Sequence, residues 1–253
     1  MVDFHSHVLP DIDDGADSME EAVRLCEIAK KSGTDKLIAT PHLAKLDETV
    51  DLIRLRDSRL DELRRELDKR SIELEIYPGT EVYVNDDVFY APSLDSATIN
   101  GSRYMLIEFD FRGLNINRLI KYVNEFFARG YRPIIAHPER YYYMQADYDI
   151  VNHLADMGVL FQLNAPSLVG YMGPAAQELS YLMTANGLAS FIGTDAHSAA
   201  HRPTNLGEMA QRFPAAVPER VYDDMLNRNP LAVLNDEEIE RGEMYAIRPR
   251  RFF

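Results

Sequence analysis

The stretch Asp3-Phe4-His5-Ser6-His7 places two histidines, two residues apart, in a short apolar segment at the start of the chain. In a β-strand, residues two apart point to the same side of the sheet. His5 and His7 can therefore bind one metal ion or two adjacent ions. Because an amphipathic helical pattern follows, the stretch also predicts the first βα unit of a parallel sheet.

Metal-binding residue types recur along the chain in similar positions. They occur in Thr40-Pro41-His42, Gly79-Thr80-Glu81, Ile107-Glu108-Phe109, Ala136-His137-Pro138-Glu139-Arg140 and Gly193-Thr194-Asp195-Ala196-His197. A single buried histidine is more often hydrogen-bonded than metal-bound, but five of the seven histidines lie at the ends of apolar segments. Mixed imidazole and carboxylate ligands favour Zn, Mn or Fe over Ca or Mg, so the sequence predicts a metalloenzyme.

Short apolar segments alternate with amphipathic ones, which is typical of βα units around a parallel sheet. Strands are predicted at Val2–His7, Lys36–Thr40, Leu74–Val84, Tyr104–Phe109, Pro133–His137, Leu160–Asn164 and Ser190–Thr194. Helices are predicted at Ser18–Ser32, Asp47–Arg70, Ile116–Arg129, Tyr148–Met157, Ala175–Asn186 and Pro218–Asn227. Ser18 and Glu21 form a capping-box pattern at the first helix. The region from about residue 203 is expected to form terminal helices and a tail.

The candidate ligands fall at one end of the predicted strands. His7, His42, His137, Asn164 and Asp195 lie at or just after strand ends, and Glu81 and Glu108 lie late within their strands. In a parallel barrel, that face holds the active site because the βα loops converge there. A length of 253 residues fits one α/β barrel or two small domains.

Composition and charge exclude several classes of protein. The formal net charge of −14 argues against binding along a nucleic-acid backbone. Apolar runs such as Tyr104–Phe109 are far shorter than the roughly 20 residues needed to cross a bilayer, so no membrane insertion is expected. The first strand starts at once, without a secretory leader, which predicts a cytoplasmic protein. The single cysteine, Cys26, is expected to be a buried helical residue.

Several other polar and aromatic residues have two interpretations. Asp11, Asp13 and Asp14 form a solvated acidic turn, or one of them binds metal. His153 is expected on the surface, and His201 is either a neighbour of the site or a bystander. Tyr141 to Tyr143 either pack at a helix start or form an aromatic lip of the cleft.

Arg140 and Arg202 each follow a candidate ligand closely. Arg140 comes three residues after His137, and Arg202 comes five residues after His197. A guanidinium offers a fork of donors that matches phosphate, so arginines beside a cation cluster predict a phosphate site.

Together, these motifs resemble the PHP (polymerase and histidinol phosphatase) superfamily. The residues that carry the resemblance are His5, His7, Asp13-Asp14-Gly15, His42, Glu81, Glu108, His137 to Arg140 and Asp195 to His197. The opening stretch from Phe4 to Ala22 is similar to the bacterial protein-tyrosine phosphatases of capsule and exopolysaccharide clusters. The resemblance spans residues 2 to about 207.

The resemblance implies a single domain over residues 1–253, built as a distorted (β/α)7 barrel with its active site at the C-terminal ends of the strands. It further implies three divalent metal ions, with Mn expected and Fe or Zn as alternatives. Carried over residue by residue, His5, His7, Glu81 and Asp195 hold the first ion, Glu81, Glu108 and His137 the second, and Asp14, His42 and His197 the third. Arg140 and Arg202 bind the phosphate.

The implied activity is hydrolysis of phosphotyrosine by a hydroxide that bridges metal ions. The implied substrate is the tyrosine-phosphorylated tail of an autokinase that controls capsule or exopolysaccharide synthesis, with Tyr141 to Tyr143 as contacts for its phenyl ring. A thiol mechanism is excluded because it needs an arginine six residues after the cysteine, and Ser32 occupies that position. The alternatives are a small-molecule phosphatase of the histidinol-phosphate type and a non-catalytic metal-binding regulatory module.

Overall fold

The strands of the computed structural model, which describes residues 1–44, 49–113 and 115–248, all pair in parallel. They are β1 Val2–Ser6, β2 Lys36–Ala39, β3 His42–Leu43, β4 Glu75–Pro78, β5 Glu81–Tyr83, β6 Tyr104–Glu108, β7 Arg132–Ala136, β8 Leu160–Asn164 and β9 Phe191–Gly193. β1, β2 and β4 form a three-stranded sheet in the order β1-β2-β4. The other strands form a six-stranded sheet in the order β3-β5-β6-β7-β8-β9. The predicted parallel α/β fold is confirmed.

The boundary between the two sheets corrects one strand prediction. Residues predicted as a single strand, Leu74–Val84, form β4 and β5, which are separated by Gly79 and Thr80. The short strand β3 was not predicted. Between β2 and β3, Pro41 has no N–H to donate, so the ladder is interrupted there, although Glu81 N still donates to Pro41 O at 3.0 Å.

Backbone hydrogen bonds connect the first strand to the last. Asp195 N donates to His5 O at 2.8 Å, and His7 N donates to Ala196 O at 2.8 Å. These bonds bring the ends of β1 and β9 side by side, and with them the candidate ligands of both segments. Closure into a seven-stranded barrel stays a prediction.

Helices alternate with the strands, largely as predicted. They are α1 Met19–Lys31, α2 Thr49–Lys69, α3 Ile116–Ala128, α4 Tyr142–Ala146, α5 Tyr148–Asp156, α6 Ala165–Leu168, α7 Pro174–Ala185, α8 Leu206–Ala210, α9 Glu219–Asp223 and α10 Asn229–Leu234. The short helices α4, α6 and α8 were not predicted individually. The first two residues of the predicted helix Asp47–Arg70 lie outside the described residues, as does the tail from residue 249. None of the described helices has the length and hydropathy needed to span a bilayer.

The capping box predicted at α1 is only half present. Ser18 Oγ accepts a hydrogen bond from Glu21 N at 3.2 Å, as an N-cap residue does. The Glu21 carboxylate, however, accepts from Ala199 N at 2.7 Å instead of returning to the cap. Glu21 therefore ties α1 to the loop that follows His197.

The close approach of β9 to β1 depends on Gly193. A Cβ atom at this position would lie 2.6 Å from both Cβ and N of His5. Gly193→Ala should therefore lower the free energy of unfolding by about 1–3 kcal/mol through overpacking. Urea denaturation of the metal-free protein measures this change. Gly242→Ala is the control, because a Cβ atom added there would have no heavy atom of the described residues outside its chain neighbours within 4 Å. Equal midpoints for the two variants would contradict the close-approach argument.

Candidate metal centre

The structure brings all the predicted ligands together at the C-terminal ends of the strands. Three groups have ligand atoms within 4.8 Å of one another: His7 with Asp14, His42 and His197; His5 with His7 and Glu81; and His42 with Glu81 and Glu108. His137 and Asp195 border these groups. His7, His42 and Glu81 each belong to two groups, so the clusters are contiguous.

The buried carboxylate of Glu81 lies at the centre of the site. Its Oε2 is 3.3 Å from His5 Nε2, 3.4 Å from His7 Nε2 and 3.1 Å from His42 Nδ1. Nevertheless, within the described residues Oε2 makes no hydrogen bond of acceptable geometry. The Nε2 atoms of His5 and His7 face each other at 3.1 Å. A buried oxygen without a partner, surrounded by imidazole nitrogens, fits a bound cation.

The remaining ligands lie within reach of the predicted ions. Asp195 Oδ1 is 3.7 Å from His5 Nε2 and 3.6 Å from His7 Nε2. His137 Nε2 is 2.9 Å from Glu81 Oε1 and 3.6 Å from Glu108 Oε1. The grouping differs slightly from the ligand sets that the resemblance implies. His7 also lies with the ligands expected for the third ion, and His42 lies with Glu81 and Glu108 of the second. The assignment of each residue to an ion stays a prediction.

The three aspartates of the acidic turn have different positions. Asp14 is 70% exposed, and its Oδ1 lies 3.5 Å from His42 Nε2 and 3.3 Å from His197 Nε2. Asp13 is nearly buried, accepts from His7 Nδ1 at 2.7 Å, and also accepts from the backbone N of His42 at 3.0 Å. Asp11 is exposed. Asp14 therefore belongs to a group that could hold a metal ion, whereas Asp13 orients His7 and connects it to the start of β3.

A buried amide network orients His5. Gln162 Oε1 accepts from His5 Nδ1 at 2.9 Å, and Gln162 Nε2 donates to Asn164 Oδ1 at 3.0 Å. Asn164 Nδ2 in turn donates to Asp195 Oδ2 at 2.8 Å. The bond to Nδ1 leaves Nε2 of His5 free to face Glu81, as partners behind a ligating histidine do. Gln162 was missed from the sequence; its signal was the two-residue spacing from Asn164 on β8, which puts both on one face.

Both arginines contact the same carboxylate oxygen at the edge of the cluster. Arg140 NH1 and Arg202 NH2 lie 2.8 and 2.6 Å from Asp195 Oδ2. Their side chains are 27% and 32% exposed. The loop before Arg202 is held by Arg202 N donating to Ser198 O at 3.1 Å and by the contact between Glu21 and Ala199. Each guanidinium retains N–H groups that can bind an anion from solvent.

The charges of the site shift the pKa values of its residues in opposite directions. Burial disfavours protonated His5 and His7, but nearby carboxylates outweigh it and raise the pKa of each to about 9. Burial and the neighbouring Glu81 raise the pKa of Glu108 to about 7. Burial also opposes ionisation of Glu81, yet the positive charge of His5, the hydrogen bond from His137 and the close approach of His42 hold its pKa well below the usual range. In the absence of cations, protons therefore compensate the carboxylates.

Other candidate residues lie outside the cluster or have structural roles. His153 and His201 are exposed. Cys26 is fully buried in α1, which confirms its predicted position in a helix. Burial raises the pKa of its thiol to about 12, which disfavours the nucleophilic thiolate. Tyr141 is buried, its hydroxyl accepts from Phe109 N at 3.0 Å, and α4 begins at Tyr142. Packing at a helix start is therefore the correct interpretation of Tyr141.

Comparison with known proteins finds similar sequences over nearly the whole chain. The profile of the family described as "Capsular polysaccharide synthesis, CpsB/CapC" matches residues 1–235. CapC of Staphylococcus aureus is 33% identical over 95% of this chain and 94% of its own length. The tyrosine-protein phosphatase YwqE of Bacillus subtilis is 28% identical over 100% of this chain and 99% of its own length.

A solved structure extends the comparison to the fold. It is one of the crystal structures of YwqE from Bacillus subtilis and CpsB from Streptococcus pneumoniae, which are called unique metal-dependent tyrosine phosphatases. The superposition has a TM-score of 0.86 at 26% identity and covers 98% of this chain and 100% of the other.

The histidine pKa values predict how the stability of the metal-free protein depends on pH. With pKa values of about 9 against 6.5 in the unfolded chain, protonation within the His5–His7 pair, whose facing Nε2 atoms share one proton, stabilises the fold fully below pH 6.5. This contribution is lost as the pH rises through about 9. The raised pKa of Glu108 likewise lowers the free energy of unfolding as the pH rises from 4.5 to about 7. We expect the urea midpoint to fall from pH 6.5 to pH 9, and Mn²⁺ to reverse most of the fall because cations replace the protons. A midpoint that rises over this interval would contradict these pKa shifts.

Proposed function

The chain belongs to the CpsB/CapC family of capsular polysaccharide synthesis, and we propose that it is a metal-dependent protein-tyrosine phosphatase. The observation that carries this proposal is the buried carboxylate of Glu81 among the ring nitrogens of His5, His7 and His42. Two partly exposed arginines border the same cluster. A cation site beside two guanidinium groups is suited to a phosphate ester.

The proposed cofactors are three divalent ions, with manganese expected and iron or zinc as alternatives. The nine proposed ligands are His5, His7, Asp14, His42, Glu81, Glu108, His137, Asp195 and His197. Seven of them form the contiguous groups described above, and His137 and Asp195 border these groups. Bound divalent ions lower the pKa of water, so that a nucleophile exists near neutral pH, and they neutralise charge on phosphoryl oxygens. This mixed imidazole and carboxylate set suits Mn, Fe or Zn.

The protein's own residues position the ligands and the substrate. Asp13 and Gln162 fix the ring orientations of His7 and His5 through their Nδ1 atoms. Arg140 and Arg202, which meet at Asp195, bind the phosphate through the N–H groups that face solvent. Because a phenolate leaves with a pKa near 10, hydrolysis of phosphotyrosine needs less help from a general acid than hydrolysis of phosphoserine.

We also propose that the two sheets close into one distorted (β/α)7 barrel. Two observations support closure. Hydrogen bonds link residues 195 and 196 to the end of β1. In addition, β3 follows β2 after two residues, and β5 follows β4 after two residues, so that each succession continues one strand direction from the first sheet into the second. If each succession is counted as one strand, the nine strands become seven. The barrel is proposed as a single domain.

The proposed substrate is the tyrosine-phosphorylated tail of a bacterial autokinase that controls capsule or exopolysaccharide synthesis, and the proposed location is the cytoplasm. The family description and the names of its relatives support a phosphoprotein substrate. The net charge of −14 opposes a nucleic-acid partner.

Chelation tests the metal requirement. Dialysis against EDTA should abolish hydrolysis of p-nitrophenyl phosphate, because the proposed nucleophile exists only beside a cation, and Mn²⁺ should restore it. Cys26→Ala should retain near wild-type turnover, since the buried thiol takes no part. Full activity in protein shown by elemental analysis to be metal-free would contradict the mechanism.

The arginines test phosphate binding. Arg140→Ala and Arg202→Ala should each lower kcat/KM for a phosphotyrosine peptide by roughly 30- to 1,000-fold, or about 2–4 kcal/mol, with metal content unchanged. Arg220→Ala, at an exposed position on α9, is the control.

The same assay on wild-type protein separates the alternatives. Faster hydrolysis of histidinol phosphate than of any phosphotyrosine peptide would favour a small-molecule phosphatase. Absence of turnover despite full metal loading would favour a regulatory module.

A further inference from the structure

An aromatic ring lies beside the arginine at which the phosphate is proposed to bind. The guanidinium carbon of Arg140 is 4.8 Å from the centroid of the Phe111 ring. The same ring stacks on His137, with centroids 5.3 Å apart and planes at 19°. We propose that Phe111 forms a subsite for the aromatic ring of an aryl phosphate substrate. This inference rests on the proposed phosphatase function.

The backbone holds Phe111 next to the metal centre. It lies three residues beyond β6, which ends at the ligand Glu108, and its carbonyl accepts from Tyr142 N at 3.2 Å. The ring also packs against Tyr141, with centroids 5.3 Å apart. Unlike Tyr141, Phe111 is only partly buried, so it presents apolar surface at the edge of the site.

The distances suit an aromatic ester. The ring of a phenyl phosphate is separated from phosphorus by a single oxygen atom. A phosphate bound to the Arg140 guanidinium would therefore carry that ring close to Phe111, which is itself 4.8 Å from the guanidinium carbon. Aromatic pairs attract at centroid distances of roughly 4.5–7 Å. The side chain of phosphoserine has no ring to fill this space. The subsite thus favours phosphotyrosine over phosphoserine, in addition to the difference in leaving groups.

The subsite replaces the ring contacts expected from the sequence at Tyr141 to Tyr143. Tyr141 is fully buried beneath Phe111, and its hydroxyl is engaged by Phe109 N. Tyr143 stacks on Tyr141 with centroids 5.5 Å apart. Tyr141 and Tyr143 therefore support the position of Phe111, whereas the side chain of Tyr142 is exposed at the start of α4.

Binding of two phosphonates separates a ring contact from simple support of Arg140. Calorimetry of manganese-loaded protein compares phenylphosphonate with methylphosphonate, which share the anionic group and differ in the ring. Wild type should bind phenylphosphonate more tightly. Phe111→Ala should weaken phenylphosphonate binding roughly 10-fold and change methylphosphonate binding less than about 2-fold. Phe111→Tyr should keep most of the preference, and Tyr245→Ala, which removes an exposed ring elsewhere, should keep all of it.

Three outcomes would overturn the subsite. They are equal binding of both phosphonates by wild type, equal weakening of both by Phe111→Ala, and no change in either. Equal weakening would mean that Phe111 only supports Arg140. Because binding is measured without turnover, a protein that fails to hydrolyse phosphotyrosine but shows the expected preference would contradict the phosphatase proposal and leave the subsite intact.

Discussion

The packing of several carboxylates and imidazoles into one buried space constrains the rest of the site. Glu81 is fully buried, and the ring nitrogens of His5, His7 and His42 surround its Oε2 atom. An isolated buried carboxylate is strongly disfavoured unless positive charge compensates it. Without cations, protons on His5 and His7 supply that charge. Divalent ions would supply it better, because they also satisfy the oxygen that lacks a hydrogen bond.

The fold meets this constraint by placing the ligands on neighbouring backbone segments that are hydrogen-bonded to each other. His5 lies in β1 and His7 directly follows it. The backbone bonds that join residues 195 and 196 to His5 and His7 bring Asp195 and His197 beside them. Gly193 permits this approach because a side chain there would collide with His5. Behind the ligands, Asp13 and Gln162 hold two of the imidazole rings. The functional groups are therefore fixed by the core of the protein, whereas Phe111, Arg140 and Arg202 are partly exposed at its edge.

Much of the fold, and the set of residues that the fold brings together, could be predicted because both leave local patterns in the sequence. Apolar strands, helix caps and the His5-Ser6-His7 spacing can each be recognised from a few consecutive residues of the sequence. The roles of Asp13, Gln162 and Glu21 could not be predicted in the same way, because each depends on a partner chosen by the tertiary fold. Glu21 is the clearest case: its local pattern predicts a capping box, but its carboxylate bonds Ala199, 178 residues away. The break between β4 and β5 was missed because it depends on a distant segment: Gly79 N and Glu81 N donate hydrogen bonds to Ala39 O and Pro41 O.

The central claim is that the nine ligands hold several divalent ions beside Arg140 and Arg202. Anomalous diffraction from crystals grown with Mn²⁺ tests it most directly. We expect three peaks, one bounded by His5, His7, Glu81 and Asp195, one by Glu81, Glu108 and His137, and one by Asp14, His42 and His197, with metal–ligand distances of roughly 2.0–2.3 Å. A single peak away from Glu81, or no peak in crystals grown with excess Mn²⁺, would contradict the claim.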